Sequence, residues 1–405
     1  MVPTPLRRRT FRRLWAGMTT SYAGDRLQQL AQGWLVATLT NSALSVGLTT
    51  ALGTLPLLLL PVGGVLAEQV DRKRLLVASQ LTGAIGATVM TALVATRLIA
   101  VWHVYIWAVL SGLIWLVARP AYKVVLTECV PPEEVRPAVA LNSTSETSSL
   151  VLVNGAGSVL LGLLGLPIAF GLNAASYVVA VAGLWSLPGA ERGRDEARGL
   201  AFDRLLVDMA DGWQYLLGQP ALVRPLLLTL LTTVAVAPVF SLLPAIVHAR
   251  GGSIVELGLL AAATSAGSLG GAIYAGAHDE SQHPIRRYTL YGFVAAIALV
   301  LFALVPAGLL SFPPLVAIGF VLFAEAVWNT SRVRRLAGPE YQARIQAFTT
   351  MAFTLGMALA TLWAGVAMDR LGPAALLLGA SALAAALCVF HLTASRTPWK
   401  EAAGG

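Results

Sequence analysis

The stretch LSVGLTTALGTLPLLLLPVGGVLAEQVDRKRLLVASQLTGAIGATVMTALVAT, residues 44–96, decides the fold. Residues 44–66 and 75–96 carry no charged side chain, and eight residues with Arg72, Lys73 and Arg74 separate them. At about 1.5 Å of rise per residue, each run is long enough to cross a hydrocarbon layer of about 30 Å as a helix. Short connectors rich in Lys and Arg stay on the cytoplasmic side. The stretch therefore reads as two membrane-crossing helices joined by a cytoplasmic turn.

The same pattern extends in both directions. Apolar runs fall at 13–39, 44–66, 75–96, 102–126, 138–163 and 167–187, then at 222–247, 254–276, 287–306, 313–333, 343–368 and 373–394. Every second connector is basic. One set holds Arg7, Arg8, Arg9, Arg12 and Arg13, then Arg72 to Arg74, Arg119, Lys123 and Arg136, then Arg192 to Arg224, Arg286, Arg287, Arg332 to Arg344, Arg396 and Lys400. The other set holds only Arg97, Arg250 and Arg370. This asymmetry predicts an even number of crossings with both termini cytoplasmic, and so an all-α membrane protein of twelve transmembrane helices.

Composition agrees. Hydrophobic residues make up 57% and charged residues 12% of the 405 positions, and the mean hydropathy is +0.73, far from the balance of a soluble domain. The net charge of +8 is then a topology signal. Its arginines are scattered over seven connectors with no basic patch interleaved with aromatics, which argues against a nucleic-acid partner. The first apolar run is too long for a signal-peptide core and is expected to be retained as a helix. Cys129 and Cys388 cannot form a disulfide framework. No HExxH, P-loop or G-x-S-x-G element is present, so no enzyme activity and no cofactor are expected. His103, His248, His278, His283 and His391 fall near helix ends or in connectors with no cysteine at ligand spacing, so no metal site is expected either.

The largest break lies between Pro188 and Pro220. It divides an N-terminal six-helix bundle, 1–187, from a C-terminal bundle with a short tail, 221–405, through a cytoplasmic linker, 188–220. Within the linker Phe202, Leu205, Met209, Trp213 and Leu216 recur at helical spacing opposite Asp203, Asp208 and Asp211, the pattern of an amphipathic helix lying on the membrane surface or resting on the bundles. A faint repeat at an offset of 207 aligns Pro132-Glu133 with Pro339-Glu340. Duplicated six-helix halves are a transporter construction, with the substrate site between them near mid-bilayer.

Carboxylates inside hydrocarbon are costly and therefore informative. Asp25 in the first helix, Glu146 in the fifth and Glu325 in the tenth qualify, and are candidates for coupling protonation to motion. Each also admits a reading as a permanent ion pair: Arg26 adjoins Asp25, Arg119 should sit at the depth of Glu146, and Arg332 follows Glu325 by about two turns. Desolvation raises a carboxylate pKa and a nearby arginine lowers it, so helix pairing decides between the readings. Gln28, Trp115, Trp328 and Phe353 are the candidates for lining a cavity suited to a bulky, partly apolar substrate.

At the second connector GGVLAEQVDRKRLL, from Gly63 to Leu76, is similar to the G-x-x-x-D-R-x-x-R-R signature of the major facilitator superfamily, with Glu68 in place of Asp and Gln69 in place of Arg. Further likenesses are Phe11 to Trp15, Gly24-Asp25, Arg119-Pro120-Ala121, Val130-Pro131 with Glu133-Glu134, and Asn173 to Tyr177. Together they resemble the bacterial drug:proton antiporter branch that contains macrolide efflux proteins and enterobactin exporters. The resemblance implies a monomeric, proton-coupled secondary active exporter of amphipathic small molecules in the bacterial inner membrane. An importer or lysolipid flippase on the same scaffold is an alternative, and so is a non-transporting receptor or scaffold. It also implies a cytoplasmic latch of Glu68, Asp71, Arg72 and Glu128, with Glu68 near the start of the eleventh helix and Arg72 near Glu128 or another acid.

Overall fold

The computed structural model describes residues 4–63, 70–185, 187, 202–278, 284–306 and 308–394; within them the side chains at 202–206, 208, 284–288, 343 and 390–394 are not described. Among the described residues every regular element is helical. The order is α1 (Arg9–Thr40), α2 (Ala43–Thr54), α3 (Arg72–Ala95), α4 (Val101–Glu128), α5 (Pro132–Leu152), α6 (Ser158–Leu164), α7 (Pro167–Trp185), α8 (Phe202–Gly218), α9 (Pro220–Val236), α10 (Pro238–Ser241), α11 (Leu243–Ala249), α12 (Ile254–Ala277), α13 (Pro284–Leu304), α14 (Phe312–Leu336) and α15 (Gln342–Ala394), with short tighter turns between some of them.

Several of these are pieces of one column. The chain runs from α2 through a 3-10 turn at Leu55–Leu59, where Pro56 removes a backbone donor. One turn of π-helix at Val153–Gly157, which contains Gly155 and Gly157, joins α5 to α6. Pro238 and Pro244 cut the seventh column into α9, α10 and α11. In α15 the single residue Gly372, at φ 83° and ψ 169°, breaks the helix; an L side chain is strained there, and the break falls between the eleventh and twelfth apolar runs. Grouped in this way, six columns precede α8 and six follow it among the described residues.

Among the described residues eight helices are both long and apolar enough to cross a membrane, or nine if the bent pair at Met209–Gly218 and Pro220–Val236 is counted as one span. The long α15 counts once in that tally although it holds two columns. The first column is 32 residues long, about 48 Å, but Arg9, Arg12, Arg13, Asp25 and Arg26 interrupt its hydropathy. The protein is a multi-pass membrane protein.

The amphipathic helix α8 turns by 104° into α9 and packs on the C-terminal columns. Leu216 is buried with Val333 and Ile345, Tyr215 stacks on Tyr341 at 3.9 Å and accepts a hydrogen bond from the Gly338 amide, and Asp211 pairs with Arg344.

Hydrogen bonds between described residues that join the two sets of columns gather away from the basic, N-terminal end of α1. Asn41 Oδ1 meets His248 Nε2 at 2.8 Å. Asp369 accepts from Ser42 Oγ at 2.7 Å, from the Ala43 amide at 2.6 Å and from the Leu44 amide at 3.2 Å, capping α2 from the other half. Gly47 and Gly365 allow this approach: a Cβ at Gly365 would lie 2.6 Å from the Leu44 Cα, and one at Gly47 would overlap the Thr361 carbonyl. Deeper in, Asn154 Nδ2 donates to Ser265 Oγ at 3.0 Å.

Candidate functional site

A cavity of about 500 Å³ lies between the halves. The N-terminal half contributes Asp25, Arg26, Gln28, Gln29 and Gln32 from α1 and Trp115 from α4. The C-terminal half contributes the hydroxyls of Ser241, Thr264, Ser265 and Ser268 and the apolar surfaces of Phe240, Phe323 and Met357. One wall is therefore amide-rich and charged, and the other hydroxylated and apolar.

Of the four expected lining residues, Gln28 and Trp115 line this cavity, whereas Trp328 and Phe353 do not. Trp328 follows the lining residue Phe323 by five positions, which turns it about 140° around the helix. It is buried in an aromatic cluster with Tyr274 and Tyr291, and its Nε1 donates to the carbonyls of Ala275 and His278 at 3.2 and 3.1 Å. Phe353 lies one turn nearer the start of α15 than Met357 and is exposed outside the lining.

The three acids have different surroundings. Asp25 is buried at the back of the cavity. Its Oδ1 accepts from the Tyr177 hydroxyl at 2.5 Å and from Asn173 Nδ2 at 3.2 Å, and the same Asn173 amide donates to Gln28 Oε1 at 2.9 Å. The adjoining Arg26 does not pair with it; it donates to Gln29 Oε1 at 2.9 Å. Sequence reading named Asn173 to Tyr177 as part of the family likeness and did not pair Tyr177 with Asp25, to which α7 brings it across 152 positions. Polar residues spaced four apart on an otherwise apolar helix were the available signal.

Glu146 takes the ion-paired reading. Arg119 reaches its Oε2 at 3.4 Å, Asn142 Nδ2 donates to its Oε1 at 3.0 Å, and the Tyr122 hydroxyl donates to Asn142 at 3.0 Å. The guanidinium groups of Arg26 and Arg119 both lie over Trp115, at 5.6 and 5.5 Å from the ring centre. The indole thereby links the surroundings of Asp25 and Glu146.

Glu325 is buried and has no hydrogen-bond or ion-pair partner among the described residues. It does not reach the central cavity. It borders a separate void of about 40 Å³ inside the C-terminal half, with Thr232, Gly292 and Cys388.

Of the expected latch, Glu68 lies outside the described residues. Asp71 caps α3, accepting from the Arg74 amide at 3.0 Å. Arg72 Nη1 meets Glu128 Oε1 at 2.8 Å, and both belong to the N-terminal half. At the opposite end Asp369 was not picked out in the sequence, where its only mark is its place beside Arg370 in a sparsely charged connector.

The profile of the family described as transmembrane secretion effector matches residues 2–403. Macrolide efflux protein A of Streptococcus pyogenes is 23% identical over 371 residues, covering 89% of this chain and 90% of that protein. The enterobactin exporter EntS of Shigella boydii is 27% identical over 329 residues, covering 79% and 76%. Among solved structures, a bacterial homologue of the human lysosomal transporter Spinster, inward-facing and unoccupied, superposes with a TM-score of 0.72 at 14% identity over 97% of this chain and 96% of that one. The nucleoside transporter NupG superposes with a TM-score of 0.70 at 12% identity over 95% and 98%. These structures share the fold, and the matched residues span nearly the whole sequence: the chain belongs to the transmembrane secretion effector family of the major facilitator superfamily.

Proposed function

We propose that this protein is a proton-coupled secondary active exporter of amphipathic small molecules, working by alternating access in the bacterial inner membrane with both termini cytoplasmic. The observation that carries the proposal is the cavity of about 500 Å³ between the halves, with one wall polar and charged and the other largely apolar. Such a volume suits a bulky ligand with both characters. The relatives named as an efflux protein and an exporter support the outward direction. The halves 1–187 and 221–405 are the moving bodies, and with their contacts gathered away from the termini the state seen is inward-facing on this reading.

Coupling is assigned to the buried acids. Asp25 belongs to the N-terminal half and touches the cavity, while Glu325 belongs to the C-terminal half and lies in its own void. Relative motion of the halves changes the water and positive charge around each, which is the requirement for a proton to bind on one side and leave on the other. Glu146 stands with Arg119 as the alternative coupling pair. The latch role of Arg72, Asp71, Glu68 and Glu128 belongs to the outward-facing state, where the cytoplasmic end is closed.

The test is transport by purified protein in proteoliposomes under an imposed pH gradient. Proton-driven movement of an amphipathic dye is expected in the wild type, and Asp25→Asn with Glu325→Gln should abolish accumulation while binding persists. Wild-type rates in the double variant would sink the coupling assignment and move it to Glu146 and Arg119.

A further inference from the structure

Among the described residues Asp25 and Arg26 are the charged side chains in the lining of the central cavity; they act on each other at longer range without an ion-pair contact, and they differ in how far their hydrogen-bonding capacity is used. Asp25 is buried, with Tyr177 and Asn173 donating to it. Arg26 is half-buried, gives one hydrogen bond to the neutral oxygen of Gln29, and has no carboxylate within ion-pair distance among the described residues. The comparison inside the same site is direct: Arg119 lies over the same Trp115 ring at nearly the same distance, and it is paired with Glu146.

An arginine has five N–H donors in a fixed planar fork. Arg26 commits one of them to Gln29, and its guanidinium carbon lies over the Trp115 ring at 5.6 Å from the ring centre. Asp25 and Glu146 act on this cation only from beyond hydrogen-bond reach, so its remaining donors, kept partly out of water, are left without an acceptor, and a ligand carboxylate is the planar partner that matches the fork with two parallel hydrogen bonds. The facing wall does not oppose an anion, since Thr264, Ser265 and Ser268 are neutral, and Phe323 and Met357 offer apolar surface. A cationic ligand would instead meet Arg26, with Asp25 already engaged behind it.

We infer that Arg26, lying over Trp115, is the subsite for the acidic group of an amphipathic organic anion, whose apolar body lies against the C-terminal wall. The inference rests on the transporter reading and names the substrate class of that cavity. Arg26 is then a specificity-determining residue, separate from the proton-coupling acids.

Three probes with one apolar body separate the possibilities: pyrenebutyric acid, pyrenebutanol and pyrenebutylamine. Binding to the full-length protein in nanodiscs is measured at one pH for wild type, Arg26→Gln and Arg26→Lys, and efflux is measured in proteoliposomes. The wild type should bind the acid about tenfold or more tightly than the alcohol or the amine, the size expected for charge-assisted hydrogen bonds. Arg26→Gln should bring the three within about twofold, and Arg26→Lys, a point charge without the fork, should fall between. Equal binding of all three by the wild type, preference for the amine, no binding of the acid, or an unchanged preference in Arg26→Gln would each overturn the inference. If the acid is bound selectively but never moved, the anion subsite stands and the exporter reading fails; if all three are moved without preference, the reverse holds. Displacement of the acid by lysophosphatidylglycerol and not by lysophosphatidylcholine would assign the subsite to a lipid source of the anion, and displacement by neither to a soluble one.

Discussion

Replacing Asp369 should open the end of the molecule away from the termini. Its carboxylate takes the Ser42 hydroxyl and the Ala43 and Leu44 amides, so one side chain from the C-terminal half satisfies the first free donors of a helix in the N-terminal half. Net hydrogen bonds to a charged group contribute about 1.5–3 kcal/mol, and an acid at a helix N-terminus about 0.3–1 kcal/mol more. Asp369 is exposed, and Ser42 also caps its own helix by accepting from the Ser45 amide at 3.2 Å, so a total of about 2–3 kcal/mol is a reasonable figure for Asp369→Ala. That shifts the balance between the two closed states by about 30- to 150-fold. The assay is a pair of spin labels at Leu98→Cys and Leu309→Cys, exposed positions in connectors of the two halves at that end, with Cys129 and Cys388 replaced by serine. Asp369→Ala should move the distance distribution to longer separations, and Asp369→Asn should move it less. An unchanged distribution in Asp369→Ala would refute the cap as a closing contact.

Glu325→Gln should keep or lengthen the thermal half-life in detergent while removing proton-driven accumulation, because a buried carboxyl without a partner gives the fold nothing that an amide of the same shape lacks; a marked loss of stability would reveal a partner. Burial, with the charge of Glu128 second, pushes the Cys129 thiol from its ordinary 9.0 up to about 11. Since the thiolate is the reactive form, its alkylation by N-ethylmaleimide at pH 7.5 should run about a hundredfold below that of a free cysteine and rise about tenfold per pH unit, and a rate flat with pH would contradict this. For topology, single cysteines at Arg74 and Leu98 should be labelled by an impermeant reagent from the inside and the outside of the cell respectively, and labelling of both from one side would overturn the orientation.

Column positions were legible because a lipid-crossing helix needs a long uncharged run, and the basic connectors separate those runs. The pairing of Arg119 with Glu146 was also legible, since it joins neighbouring helices at similar depth, whereas Arg72 near Glu128 or another acid came from the family likeness alone. Helix rotation was not. In lipid the outward face of a helix is as apolar as its packed face, so hydropathy does not say which way Trp328 or Phe353 points. Contacts between the halves were hidden for a related reason: Asp369 and Ser42 are 327 positions apart, and neither carries a local pattern. Asp25 was conspicuous as a charge in hydrocarbon, but its partner Tyr177 is one tyrosine on an apolar helix, unremarkable until the fold sets α7 beside α1.

The docking of α8 moves the seam of the molecule. By composition the linker is the whole of 188–220, yet Phe202–Gly218 is fastened to the C-terminal columns through Leu216, Tyr215 and Asp211. The division between the two sets of columns therefore falls before Phe202. A chain cut for two-piece expression should be divided before Phe202, so that the second fragment keeps the helix that packs on it; a cut at Pro220 would remove Leu216 from its contacts with Val333, Ile345 and Phe348.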